Sequence, residues 1–121
     1  QGLANCNLTV HVSTKLNRSH LVTGKEALIL PCLGRSEKDY QKTGVQVQSV
    51  ENSMGIVSST KGVLEPCSKD LLSEPAIVSR LGSALFGNND INWASYEKDY
   101  SLIRNVIIAT INVASKTPLA L

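Results

Sequence analysis

The residues best suited to binding chemistry follow the first predicted strand of the chain. Leu8–Val12 alternates apolar and polar residues and is rich in β-branched types, as a half-buried strand is. The segment after it supplies hydroxyl, amide and cationic groups, carried by Ser13, Thr14, Lys15, Asn17 and Arg18. Loops beyond the carboxyl end of a parallel strand are where α/β folds bind ligands, and these groups ahead of a helix N-terminus suit a phosphate or a nucleotide. Because no glycine-rich phosphate-binding pattern accompanies them, composition alone favours a solvated basic loop over a ligand site.

The two histidines have no partner in the sequence that would make them catalytic. Ser19 and His20 are adjacent, and adjacent residues on a helix point about 100° apart, so they cannot pair as a nucleophile and its base. No G-x-S-x-G elbow is present. His11 lies in the polar phase of the first strand, and we interpret it as a packed or hydrogen-bonded histidine rather than a metal ligand.

Two acidic residues, Glu37 and Asp39, lie in a charged loop that begins at Gly34. They could act as paired carboxylates in acid–base chemistry. They could equally be part of a solvated loop with local ion pairs, and this second interpretation is the one we favour.

The three cysteines, Cys6, Cys32 and Cys67, are far apart in the sequence. Zinc, iron–sulfur and redox dithiol sites use closer spacings, so we expect reduced and mostly buried thiols in a cytoplasmic protein. Cys32 follows Pro31, where a reactive thiol could lie, but the sequence places no histidine to activate it.

The first half of the chain is predicted to be rich in strands. Ala27–Leu30 is a continuous apolar run closed by Pro31, which is typical of a strand buried on both faces of a parallel sheet. Val45–Val50 alternates strictly and predicts an antiparallel strand, which turns at Asn52–Gly55 and returns as Ile56–Ser58.

Helices are predicted after the first strand and in the last third of the chain. A short helix reaches Val22, and Ser73 caps a longer helix that Gly87 ends. Asn92 caps a second long helix with one buried stripe, formed by Trp93, Tyr96, Tyr100, Ile103, Ile107 and Ile111. The element order predicts an α/β fold: a three-layer-like parallel or mixed sheet fragment with an inserted β-hairpin and C-terminal helices.

Length and composition set the class of the protein. With 121 residues, 42% of them hydrophobic, the chain is predicted to be a single domain, residues 1–121, with an aliphatic core because aromatic residues are only 4%. The net charge of +2 is too small to drive binding to nucleic acid or membranes, and we expect neither nucleic-acid binding nor membrane insertion. The first residue, Gln1, and the apolar tail Pro118–Leu121 lead us to expect a piece of a longer polypeptide.

A series of motifs runs in order from Leu8 to Arg104. The series consists of Thr14-Lys15, Leu28–Pro31, the acids Glu37 and Asp39, Asn52–Val57, Glu65-Pro66 and Pro75–Gly87. This order resembles the large catalytic subunit of molybdopterin-dependent oxidoreductases, most closely the formate-dehydrogenase-like alpha subunits. Ser13–Pro31 is the most specific part of the resemblance.

The resemblance implies that residues 1–121 are part of the molybdopterin guanine dinucleotide-binding region of a larger subunit. Such a subunit carries bis(molybdopterin guanine dinucleotide) with molybdenum, and a 4Fe-4S cluster bound outside this segment. Thr14 is implied as a cofactor-binding residue, with Lys15, Asn17 and Arg18 beside it. The metal ligand and the acid–base residues lie elsewhere, so the remainder of the subunit is the expected partner and the segment alone is not catalytic. Val10 stands where the family often has an acidic residue that contacts the guanine end.

Two other functions are open. The chain could be a freestanding nucleotide- or anion-binding module that uses Thr14, Lys15, Asn17 and Arg18. It could also be a structural interaction domain, in which the hairpin Val45–Ser58 offers an open edge to another chain.

Overall fold

A parallel pair of strands begins the fold in the computed structural model, which describes residues 2–87 and 90–111. Strand β1 (Leu8–Ser13) pairs with β2 (Glu26–Pro31), so that Val10 lies opposite Leu28. Both predicted strands are therefore confirmed. The expectation that β2 is buried on both faces is wrong, since Leu28 is 48% exposed.

The connection between β1 and β2 is tied down by a buried hydroxyl. Thr9 is 5% exposed, and its Oγ1 accepts a hydrogen bond from the Gly24 amide at 3.2 Å. Gly24 packs so tightly that a Cβ on it would lie 2.6 Å from the carbonyl oxygen of Cys6. Within this connection the predicted short helix is a single 3-10 turn, Arg18–Leu21.

Two antiparallel pairs follow where one hairpin was predicted. Strand β3 (Tyr40–Gln41) pairs with β4 (Gly44–Val45), and β5 (Gln48–Glu51) pairs with β6 (Val57–Thr60). The predicted strand Val45–Val50 is divided because Gln46 is drawn inward, and its amide donates to the carbonyl oxygen of Asp39 at 2.8 Å. The inserted hairpin is confirmed in the pair β5 and β6.

The turn of this hairpin has the residues that its geometry requires. Asn52 Oδ1 accepts hydrogen bonds from the amides of Met54 and Ile56, at 2.9 and 3.0 Å. Gly55 has a φ of 76°, in the left-handed region that glycine adopts without a steric penalty. The predicted turn at Asn52–Gly55 is therefore confirmed.

The last third of the described chain is helical, as predicted. Helix α1 (Glu74–Phe86) begins after Ser73, whose Oγ accepts from the Ala76 amide at 3.4 Å. The second predicted helix is in fact two helices, α2 (Trp93–Lys98) and α3 (Tyr100–Ile111). They separate at Asp99, which is extended and accepts the Ser101 amide at 2.9 Å, so that its side chain caps α3.

The helices α1 and α2 pack closely at one glycine. A Cβ on Gly82 would lie 2.5 Å from the indole ring of Trp93, so no larger residue fits there without movement. None of the helices in the described residues is long and apolar enough to cross a membrane.

The buried part of the described chain is small and largely polar. Its buried hydrophobic residues are Cys32, Ala76 and Tyr100, and its buried polar residues are Thr9, Asp39, Gln46, Ser73 and Ser79. The predicted aliphatic core is therefore wrong for these residues. Aliphatic side chains of the sheet and of α3 face outward instead, and Ile107 of the predicted buried stripe is 49% exposed.

The fold class is confirmed as α/β, since residues 2–87 and 90–111 form one small parallel sheet, small antiparallel sheets and three α-helices. Within the described ranges the sheets are two-stranded and separate, and the hairpin and C-terminal helices lie in the predicted order. The tail Pro118–Leu121 and the side chain of Ile111 lie outside the described residues.

Candidate functional site

The carboxyl ends of β1 and β2 meet at one edge of the parallel pair. The Cys32 amide donates to the Ser13 carbonyl oxygen at 3.1 Å, which extends the pairing to the ends of both strands. Just beyond it, the methyl carbon of Thr14 lies 3.8 Å from the position that a Cβ on Gly34 would take. The loops after the two strands are therefore neighbours, as parallel strands require.

The loop after β1 presents unused polar groups at this edge. Thr14, Lys15 and Arg18 are exposed, and their side chains make no hydrogen bond or ion pair within the described residues. The Ser13 hydroxyl, in contrast, donates to the Lys15 carbonyl oxygen at 2.7 Å. One hydroxyl and two cations are thus free to bind a ligand.

Asn17 has a structural role in this loop. Its Oδ1 accepts the Ser19 amide at 2.9 Å and the Ser19 hydroxyl, so it caps the 3-10 turn. The turn spans only Arg18–Leu21, so the predicted helix N-terminus does not supply an aligned row of peptide dipoles. Any anion here would be held by side chains rather than by a helix.

The two histidines lie on β1 and on the 3-10 turn of this loop. The rings of His11 and His20 are 4.8 Å apart between centroids, which confirms the prediction that His11 is packed. His20 Nδ1 accepts the Asn17 amide at 2.9 Å, while the Ser19 hydroxyl is bonded to Asn17. Ser19 and His20 do not form a catalytic pair, as predicted. The sequence did not indicate that His11 and His20 would meet.

The loop after β2 is fixed by Glu37. Its Oε2 accepts the Gly34 amide at 2.7 Å and its Oε1 accepts the Cys67 amide at 3.3 Å. Nearby, a Cβ on Gly62 would overlap the Glu37 carbonyl oxygen, so the two chain segments are in backbone contact. Glu37 therefore holds a loop in place and is not a free catalytic carboxylate.

Asp39 lies in a different environment. It is 5% exposed, and its carboxylate accepts hydrogen bonds from the Tyr100 hydroxyl and from Gln41 Nε2. The expectation that Asp39 lies in a solvated loop is therefore wrong. The alternative that Glu37 and Asp39 form a carboxylate pair is also wrong, because Glu37 accepts hydrogen bonds from the Gly34 and Cys67 amides instead. Both acids are acceptors for structural hydrogen bonds.

Tyr100 is the centre of a buried polar cluster that the sequence did not reveal. Its hydroxyl also contacts Ser73 Oγ, and its backbone amide donates to Gln46 Oε1 at 2.9 Å. Burial, and the hydrogen bond to Asp39, raise the pKa of Tyr100 above its ordinary value. The phenol stays protonated, and Tyr100, at the start of α3, joins the residue before β3 to the residue that caps α1.

An exposed ion pair lies beside this cluster. Lys38 Nζ contacts Glu65 Oε1, and the Tyr40 hydroxyl donates to Glu65 Oε2 at 3.0 Å. The hydrogen bond between Lys38 and Glu65 raises the pKa of Lys38 and lowers the pKa of Glu65. These groups line a cavity of about 590 Å³, together with Pro66 and Leu72.

The cysteines and possible metal ligands of the described residues do not form a catalytic site. In the part of the chain that is described, no three metal-ligating side chains come together and no cysteines are bonded to each other. Burial raises the pKa of the Cys32 thiol, and Glu74 and Glu37 add to this, so the thiolate is disfavoured. Cys67 is exposed, so the expectation of mostly buried thiols is wrong there.

Comparison with known proteins relates the chain to a segment of much longer ones. It is 45% identical over 109 residues to Protein YdeP of Escherichia coli (strain K12). It is 47% identical over 110 residues to the uncharacterized oxidoreductase Rv2900c of Mycobacterium tuberculosis (strain H37Rv). In both cases the match covers 90% of this chain and 14% of the relative, so the chain spans about 14% of the length of these curated relatives. No protein-family model matches the chain, and no solved structure matches it significantly.

Proposed function

We propose that the chain is a cofactor-binding segment of an oxidoreductase, and that its cofactor is molybdopterin guanine dinucleotide in a formate-dehydrogenase-like enzyme. The oxidoreductase role is supported by the name of the Mycobacterium tuberculosis relative. The finer assignment is supported by the motif order from Leu8 to Arg104. The observation that carries the proposal is the free hydroxyl of Thr14 beside the free cation of Lys15, at the shared carboxyl edge of two parallel strands.

The groups at this edge fit the phosphates of a dinucleotide. The Thr14 hydroxyl can donate to a phosphate oxygen, and Lys15 and Arg18 supply positive charge that no carboxylate of the described residues neutralises. Asn17 Oδ1 is occupied by Ser19, so only its amide nitrogen remains for a ligand. The proposed binding set is therefore Thr14, Lys15 and Arg18, with Asn17 as the residue that shapes the loop.

The guanine end of such a cofactor would be held elsewhere. Val10 is 51% exposed on the outward face of β1 and has no polar atom in its side chain for a base. In this proposal the molybdenum cofactor supplies the two-electron chemistry, and this chain binds and orients one part of it. The 4Fe-4S cluster, the metal ligand and the acid–base residues belong to the rest of the enzyme.

We also propose that the remainder of the same polypeptide covers the apolar face of the parallel pair. This face is formed by Leu8, Val10, Val12 and Leu28, each at least 41% exposed. Parallel strands are normally covered on both faces, and an apolar surface of this kind marks a contact. The same observation favours the interaction domain as the second candidate function.

The unpaired cysteines support a reducing compartment, the cytoplasm in our proposal.

Titration of the full chain with guanosine diphosphate tests the binding site. We expect weak but saturable shifts of the amide NMR signals of residues 13–18 and 33–35, because this segment supplies only part of the site. The shifts should be weaker still in Thr14→Val, because the phosphate loses a hydroxyl donor. Thr60→Val is the matched control, since Thr60 lies in a separate sheet and its hydroxyl makes no hydrogen bond in the described structure. Shifts confined to another surface, or equal binding by Thr14→Val, contradict the assignment. Tight binding by the chain alone favours the freestanding module over a segment that needs its neighbours.

A further inference from the structure

The loop that carries the candidate ligand residues is held by a histidine at its far end. The Asn17 amide donates to His20 Nδ1 at 2.9 Å, and Asn17 Oδ1 accepts the Ser19 amide at 2.9 Å. This reciprocal pair is a capping box, in which His20 takes the place usually held by Glu or Gln. The position of Asn17 and Arg18 therefore depends on an acceptor nitrogen of an imidazole.

The surroundings of the His20 ring bear on whether its Nδ1 can accept the Asn17 amide. Its ring packs against His11 of β1, with the ring planes at 48°. The Nε2 atoms of both rings are buried and have no hydrogen-bond partner in the described structure. In the tautomer that accepts the Asn17 amide at Nδ1, the proton of neutral His20 is on Nε2, which has no hydrogen-bond partner in the described structure.

The charged groups around His20 do not compensate a positive ring. His11 faces it from β1, Arg18 shares its turn, and Lys15 precedes the turn in the same loop. Within residues 2–87 and 90–111, no hydrogen bond or ion pair joins a carboxylate to either imidazole. Protonation adds a cation to a site that already lies among cationic residues.

We propose that His20 is a positioning residue for the ligand loop, and that its protonation releases the capping box and shifts Asn17 and Arg18. This inference rests on the proposed function, because it concerns the regulation of the same site. An imidazolium has no acceptor nitrogen, so the Asn17 amide loses its partner when His20 is charged. The new Nδ1 proton faces the Asn17 carbonyl oxygen at 3.1 Å, which already accepts the His20 amide at the same distance.

The consequence we expect for binding is a loss of phosphate affinity when His20 is protonated, with the loss of the ordered loop outweighing the attraction of the added positive charge. A phosphate bound by Thr14, Lys15 and Arg18 needs the loop in its capped form, and imidazoles change charge between about pH 5 and 8. In this proposal the cap is present when His20 is neutral and lost when His20 is protonated, because only the neutral ring offers Nδ1 as an acceptor to the Asn17 amide. A capping interaction corresponds to about a fivefold change in the population of the ordered turn.

The test compares the full chain with its His20→Gln variant between about pH 8 and 5. Glutamine at this position accepts the Asn17 amide and does not titrate. We expect the Asn17 amide of the original chain to lose protection from hydrogen exchange in acid, relative to His20→Gln at each pH. As the pH falls, the affinity for guanosine diphosphate should decrease about fivefold more in the original chain than in His20→Gln. The change in charge of the nucleotide's own phosphates affects both proteins equally, so it does not alter this difference.

The outcomes separate this inference from the proposed function. Equal pH responses of the Asn17 amide in the two proteins overturn the role of His20. His11→Phe, which keeps a ring against His20, provides the second variant: if it removes the pH response while His20→Gln keeps it, the switch is not His20. If the Asn17 amide responds as expected but guanosine diphosphate binds neither protein at any pH, the result counts against the proposed function alone.

Discussion

At the scale of single residues, the Tyr100 hydroxyl joins several distant side chains, those of Asp39, Gln41 and Ser73. Tyr100 is 3% exposed and its hydroxyl lies between Asp39, just before β3, and Ser73, just before α1. A buried carboxylate depends on its donors, because its negative charge would otherwise be desolvated without compensation. The stability of the described chain should therefore be sensitive to this one phenol.

We predict that Tyr100→Phe lowers the free energy of unfolding by about 2 kcal/mol, because Asp39 loses a donor to its charged carboxylate. Urea denaturation at neutral pH measures this. Tyr40→Phe is the control, since Tyr40 is 54% exposed and donates to Glu65 at the surface. Equal losses for the two variants would contradict a special role for the buried cluster.

Residue types alone could predict only part of the candidate site. The hydroxyl and cations of Thr14, Lys15 and Arg18 are visible in the sequence, and the structure leaves them free. The contacts of Tyr100 with Asp39 and of His11 with His20 join residues on different parts of the fold. No local pattern encodes such pairs, because they depend on how distant elements pack.

At the scale of elements, the predicted strands and helices follow from local patterns, and the errors occur where one side chain overrides the pattern. Ser73 caps α1 and Asn52 forms the hairpin turn, as their types predict. Gln46 interrupts an alternating strand because its amide groups bond inward to Thr43 and Tyr100. Asp99 divides a continuous apolar stripe because it caps the helix that follows it.

Gly82→Ala tests the contact between two helices. Alanine favours a helix over glycine, yet here its Cβ would lie 2.5 Å from the Trp93 ring. We predict a net loss of about 1 to 3 kcal/mol from overpacking, and a change in Trp93 fluorescence. Ser83→Ala, at the next position and exposed, should leave stability unchanged or slightly raised. A stabilised Gly82→Ala variant would show that α1 and α2 do not pack closely.

At the scale of the whole molecule, the described chain exposes much of the aliphatic surface that its composition led us to place in a core. Composition counts apolar residues but does not say which elements cover them. Val10, Val12 and Leu28 form an outward face on the parallel pair, while the buried groups are mainly polar. In our proposal this face is completed by other parts of a longer polypeptide.

Two neighbouring residues of β1 test this description. Val10→Thr should change the free energy of unfolding by no more than about 0.5 kcal/mol, because Val10 is 51% exposed in the chain. Thr9→Val should cost about 1 to 2 kcal/mol, because the Gly24 amide loses its acceptor on the buried side. Thermal or urea unfolding distinguishes them. A larger loss for Val10→Thr would mean that the outward face is already covered.

The most direct measurement of the central claim is the cofactor content of a longer polypeptide that carries this sequence. Thr14→Val removes the hydroxyl proposed to bind a phosphate of molybdopterin guanine dinucleotide, and Thr60→Val is the matched control in a separate sheet. We predict that bound dinucleotide, measured by extraction and quantification, falls in Thr14→Val and stays at the original level in Thr60→Val. Retention of the original cofactor content and turnover by Thr14→Val would contradict the proposed site.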